Sequence, residues 1–147
     1  MLDRGLLSRS LSHLFRPKTM PKGPPPAAVM EWASAYSAYG NAAMAGATVH
    51  TPLVPGPGPN GNFFDSMDSA FRSMWMGVAW TGPSLVGTTL FVPSLSSILL
   101  AASREIDGSR DPDFALSFIT DALHTYTLSI TVSIVPPSGT PAIVSLT

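Results

Sequence analysis

From residue 73 to residue 103 this chain carries no Asp, Glu, Lys or Arg. A helix that spans a bilayer needs about 20 apolar residues, so the stretch is long enough to cross one. It is broken, however, by Pro83, Pro93, Gly77, Gly82 and Gly87 and dotted with Ser and Thr, which would leave backbone groups that lipid cannot satisfy. The pattern predicts instead an extended segment over residues 85–92, then a helix that starts at Pro93-Ser94 and runs through Ile98, Leu99 and Ala102 to Glu105, with Gly108 beyond it. Charge-free surface of this extent fits burial against other subunits.

Composition points the same way. Charged residues make up 12% of the 147 positions and hydrophobic residues 45%, whereas a soluble domain carries about 25% charge. That balance argues against disorder, which needs low hydrophobicity and high net charge. The formal net charge of -1 hides an asymmetry. Arg4, Arg9, Arg16, Lys18 and Lys22 stand against Asp3 in the first 22 residues, and Arg72, Arg104 and Arg110 face all the remaining acids. A basic start on an acidic body suits subunits that dock head to tail. Nucleic-acid readout is not expected, because the body has no basic stripe and the start has no interleaved aromatics. With Cys 0, disulfide scaffolds, thiolate metal sites and cysteine nucleophiles are excluded.

Leu2, Leu6, Leu7, Leu11, Leu14 and Phe15 recur at helical spacing, which predicts an amphipathic helix over residues 2–16, ended by Pro17. Such a helix packs on its own domain or on a neighbour, or lies on a membrane surface; its Arg- and Ser-rich composition also fits a transit peptide. The proline-rich residues 18–26 predict an extended spacer. Residues 1–26 are thus expected to form a basic amphipathic arm and connector, and residues 27–147 a single α+β assembly domain.

Within that domain, Val29, Trp32, Ala33, Tyr36, Ala43 and Met44 predict a helix stopped near Gly46, with Gly40-Asn41 as a break or kink. Residues 47–61 hold Pro and Gly at a density that predicts a loop. Asn62 reads as a cap for a helix carrying Phe63, Phe64, Met67, Phe71, Met74, Trp75 and Val78, a stripe that fits a core or subunit interface. Asp111-Pro112-Asp113 is a second start signal, for a helix through Phe114, Phe118, Ile119 and Leu123 with His124 near its end. Tyr126, Leu128, Ile130, Val132 and Ile134 then alternate with Ser and Thr, which predicts a half-buried strand, and residues 140–146 predict a return strand that Pro141 confines to an edge.

No constellation for chemistry stands out. His13, His50 and His124 have no ligand spacing, the acids at Asp107, Asp111 and Asp113 lack an EF-hand pattern, and no GxSxG or SxxK occurs. The glycine-proline run at residues 56–61 lacks the lysine of a phosphate loop. No catalytic residue, metal or cofactor is expected, and the chain reads as a non-enzyme.

Residues 30–47 (MEWASAYSAYGNAAMAGA), 62–80 (NFFDSMDSAFRSMWMGVAW) and 121–143 (DALHTYTLSITVSIVPPSGTPAI) resemble small structural proteins from the virion genes of tailed bacteriophages. The resemblance implies a homo-oligomeric structural component of the neck, tail, baseplate or capsid shell, assembled in the host cytoplasm and located in the virion. Its partners would be copies of itself and other structural proteins. The expected fold class is α+β: a small helical body with a short antiparallel sheet or β-ribbon near the C-terminus and an extended N-terminal arm. The expected interface residues are Leu6, Leu7, Leu11 and Phe15 on the arm and Tyr126, Leu128, Ile130 and Val132 on the strand. The alternative is an accessory subunit of a membrane complex, with the first helix on the bilayer surface and residues 75–102 embedded.

Overall fold

The computed structural model describes residues 2–16, 18–19, 25–43, 49–50, 53, 63–82, 85–106, 111–136 and 139–147. The fold is α+β, with the helices on one side of a short antiparallel sheet. In chain order the elements are α1 (Arg4–Leu11), a 3-10 turn (Ser12–Phe15), α2 (Pro25–Gly40), β1 (Val49–His50), α3 (Phe63–Met76), β2 (Trp80–Gly82), β3 (Leu85–Phe91), α4 (Leu95–Ile106), α5 (Pro112–Leu128), β4 (Thr131–Val135) and β5 (Ala142–Ser145). The five strands lie in sequence order, every neighbouring pair antiparallel.

Two helix starts follow from capping. Asp3 accepts from the N–H of Gly5 at 2.8 Å at the head of α1, and Asp111 accepts from that of Asp113 at 3.0 Å at the head of α5, with Pro112 in the first turn. Each satisfies a donor that the helix cannot use internally. α4 starts on a tertiary contact instead: Asp68 of α3 accepts from the N–H of Leu95 at 3.0 Å, while the Arg72 guanidinium donates to the carbonyls of Val92 and Pro93.

The expected arm is part of the body. Leu7, Leu11 and Leu14 are buried in the same core cluster as the helices and strands, and α1 packs against α2 and α5. Arg4 ties it to α5 through an ion pair with Asp121 and a hydrogen bond to the Ser117 hydroxyl. The apolar stripe that would make a membrane-surface helix is used up inside the molecule. The connector at residues 20–24 lies outside the described residues, as do Asn62, Asp107 and most of the loop at 47–61.

α2 stops at Gly40, short of the Gly46 that periodicity suggests. A Cβ on Gly40 would meet the Leu53 side chain at 2.4 Å and the Trp75 ring at 3.3 Å, and Leu53 is held there by its own N–H donating to the Asn41 side chain.

A polar chain runs through the apolar centre. Trp75 Nε1 donates to Tyr36 Oη at 3.0 Å; Tyr36 Oη donates to Thr127 Oγ1 at 2.5 Å; Thr127 Oγ1 donates to the carbonyl of Leu123 at 2.7 Å. The order of donation is forced, because the carbonyl only accepts and the indole only donates. It joins α3, α2 and α5 with every member satisfied. A second chain, Trp80 Nε1 to Thr89 Oγ1 to the Trp75 carbonyl, both at 2.8 Å, joins β2, β3 and α3. Trp75 and Trp80 stack with centroids 6.1 Å apart and planes 7° from parallel.

All three tyrosines of the chain, Tyr36, Tyr39 and Tyr126, are buried, and burial pushes each phenol well above its ordinary 10.0. Tyr126 has no hydrogen-bond partner among the described residues, and nearby Asp68 opposes its ionisation further. Because the native state holds these protons more tightly than the unfolded chain, their contribution to stability is complete below about pH 10 and is lost as pH rises beyond it. Phenolate absorbance on alkaline titration should therefore appear in one cooperative step coincident with loss of far-UV circular dichroism. Phenolate appearing gradually, ahead of unfolding, would contradict the buried placement.

Candidate functional site: an uncovered sheet face without charge

The register sorts the strand residues onto two faces. Trp80, Thr89, Val132 and Ile134 point into the core and are buried. The opposite face is formed by Thr81, Val86 and Val135 in one row, Thr88, Ser133 and Ile143 in the next, and Phe91, Thr131 and Ser145 in the third. An irregularity between Thr89 and Phe91 inserts Leu90 as an extra residue, so that Phe91 and not Leu90 stands opposite Thr131. Both therefore reach solvent, at 49% and 55% exposure.

Val86 at 63%, Val135 at 44% and Ile143 at 69% exposure make this face apolar where its threonines and serines do not make it hydroxylated. No Asp, Glu, Lys or Arg occurs from residue 73 to 103 or from 122 to 147, so strands β2 to β5 carry no formal charge on either face. Open antiparallel sheets normally turn a polar, charged face to water. This one does not, and no helix among the described residues covers it.

The sequence-derived interface residues fall elsewhere. Leu7, Leu11, Tyr126, Ile130 and Val132 are buried within the chain, Leu6 and Phe15 are half-buried, and only Leu128 is exposed. Tyr126 and Leu128 are not in a strand: α5 continues through Leu128, and β4 starts only at Thr131. Thr127 holds the helix by donating to the carbonyl four residues back, while Tyr126 packs edge-on against Phe71 at 6.5 Å. The residues that sequence reasoning missed are Val86, Phe91, Val135 and Ile143. A face with no charge on either side gives no sign of which set of alternating residues is turned outward.

A second feature is an apolar cleft of about 400 Å³ lined by Phe15, Trp32, Phe63, Phe64, Met67, Leu99, Ser103, Ile106, Ala115 and Ile119. Phe15 meets Trp32 edge-on at 5.5 Å, and Trp32 meets Phe63 at 6.4 Å. The Ser103 hydroxyl donates to the carbonyl of Leu100, and no lining residue titrates, so the cleft can hold an apolar group but supplies no acid, base or nucleophile.

His124 lies inside α5, where its Nδ1 is 2.6 Å from Tyr39 Oη. Among the described residues no three of His, Cys, Asp and Glu gather into a group that could hold a metal ion.

Fold and site together define a two-layer α+β domain whose helices cover one sheet face and leave the other, uncharged face open. No family model, curated protein or solved structure matches the chain.

Proposed function

We propose that this chain is a non-enzymatic structural subunit of a large multimeric assembly, a component of the neck, tail, baseplate or capsid shell of a tailed-phage virion. It seats its open sheet face on neighbouring subunits. One observation carries the reading: a sheet face bearing Val86, Phe91, Val135 and Ile143 in the open and no charged side chain on its strands. Burying such a face against a like surface gains roughly 25 cal/mol for each Å² of apolar area and desolvates no ion. The virion assignment rests on the sequence resemblance.

The membrane-complex alternative draws less support. Residues 75–102 are divided among α3, β2, β3 and α4, and among the described residues no helix is long and apolar enough to cross a membrane.

The test places charge on the open face. Val135→Lys and Thr88→Lys point away from the core, so they should leave the far-UV spectrum unchanged while the mass by light scattering falls from an oligomer towards a monomer. Variants with the wild-type oligomeric mass would show that this face is not the contact. A wild-type chain recovered only in detergent would favour the membrane alternative.

A further inference from the structure

We infer that β5 is a docking edge for a second copy of this chain, and that the two β5 strands pair antiparallel about a two-fold axis at Val144. The inference rests on the assembly reading above and specifies one of its contacts.

The phase of the β4–β5 ladder decides which backbone groups are free. Leu146 donates its N–H to the carbonyl of Ile130 at 3.1 Å, continuing the register in which Thr131 faces Ser145 and Val132 faces Val144. Hydrogen-bonded and non-hydrogen-bonded pairs alternate in an antiparallel ladder. Ala142, Val144 and Leu146 therefore bond to β4, and the N–H and C=O groups of Ile143 and Ser145 point away from it. β5 is the last strand of the sheet, so this row of groups is a template for another strand.

Edges of this kind are ordinarily protected by a lysine, an inward charge or a bulge. β5 has none of these, and residues 122–147 carry no Asp, Glu, Lys or Arg that would repel the same segment of another copy. That absence of like charge favours a copy as the occupant, since a two-fold contact sets the whole segment against the same segment of the second copy. Pro141 is the one protective residue, and it selects the register. It shares the outward phase of Ile143 and Ser145, so a pairing centred on Ile143 would set Ser145 against a residue with no N–H. A pairing centred on Ser145 would draw on Thr147, beyond the end of the strand. Centred on Val144, Ile143 and Ser145 exchange both bonds with Ser145 and Ile143 of the second copy. The pairing also brings the exposed Ile143 side chains of the two copies together and joins the two open faces into one.

Two variants test this in the full chain. In the proposed register the Val144 residues form a non-hydrogen-bonded pair with Cα atoms about 4.5 Å apart, within disulfide range. In a chain with Cys 0, Val144→Cys should therefore form a covalent dimer on mild oxidation, and Ser34→Cys, exposed on α2 and outside the open sheet face, should not. Ile143→Pro removes an outward N–H and no bond to β4, so it should keep the wild-type circular dichroism spectrum and lose the dimer by light scattering. A chain that stays oligomeric with Ile143→Pro, and whose Val144→Cys form does not cross-link, overturns the edge pairing and leaves the assembly reading standing. A wild-type chain that is monomeric at all concentrations overturns both.

Discussion

Trp75→Ala is expected to lower the free energy of unfolding by about 3–5 kcal/mol, the range for removing a large aromatic from a packed core. Trp75 has no solvent exposure. Its ring stacks on Trp80 and stands edge-on to Tyr36 at 6.2 Å, and its indole N–H heads the chain that ends on the Leu123 carbonyl. Alanine would remove the helical side of the contact between α3 and β2 and leave a cavity between helices and sheet. Domains of this size are stable by about 5–15 kcal/mol, so the variant should be partly unfolded near room temperature or melt far below the wild type. Urea unfolding followed by circular dichroism measures the loss. Trp75→Phe separates the causes: it keeps most of the ring and removes only the donor, while Tyr36 still donates to Thr127, so it should cost clearly less. Equal losses for the two variants would mean that the hydrogen-bonded chain, and not the packing, dominates.

Gly87→Ala is the second large effect, expected at about 1–3 kcal/mol from overpacking. Gly87 faces Trp80 across the β2–β3 pair, and a Cβ there would lie 2.6 Å from the Trp80 Cβ and 3.4 Å from the Ser133 carbonyl oxygen. The obstacle is the root of the Trp80 side chain, which no rotamer change can move, so strands β2 and β3 must separate. Any β-propensity gained by replacing glycine within a strand is smaller than this steric cost. The comparison is thermal unfolding of Gly87→Ala against wild type; an unchanged or raised midpoint would place Trp80 elsewhere than beside Gly87.

Several elements were legible in the residues themselves. The Asp111-Pro112-Asp113 start, the aromatic stripe of α3, the strand at residues 85–92 and the edge position imposed by Pro141 are local signals, written in caps, periodicity and missing donors, and the structure follows each. The boundary between α5 and β4 was not legible. Tyr126, Ile130, Val132 and Ile134 alternate as a strand would, but Ile119, Leu123, Tyr126 and Ile130 equally form a helical stripe. Contacts from outside the segment, Phe71 on Tyr126 and Tyr36 on Thr127, decide for the helix as far as Leu128.

The candidate site divides in the same way. The sequence by itself determined that the chain would have too little charge to clothe its surface, and that the shortage would fall on the strands and on α4. Only the tertiary structure decided where the bare surface lies. Leu7 and Leu11, exposed in any isolated helix, find α2 and α5 and vanish into the core. Val86, Val135 and Ile143, no different in kind from their inward neighbours, are left outside because the stacked Trp75 and Trp80 fix which face of the sheet meets the helices. Hydrophobicity sets how much apolar surface a chain must hide, and packing across distant segments sets which part of it stays open.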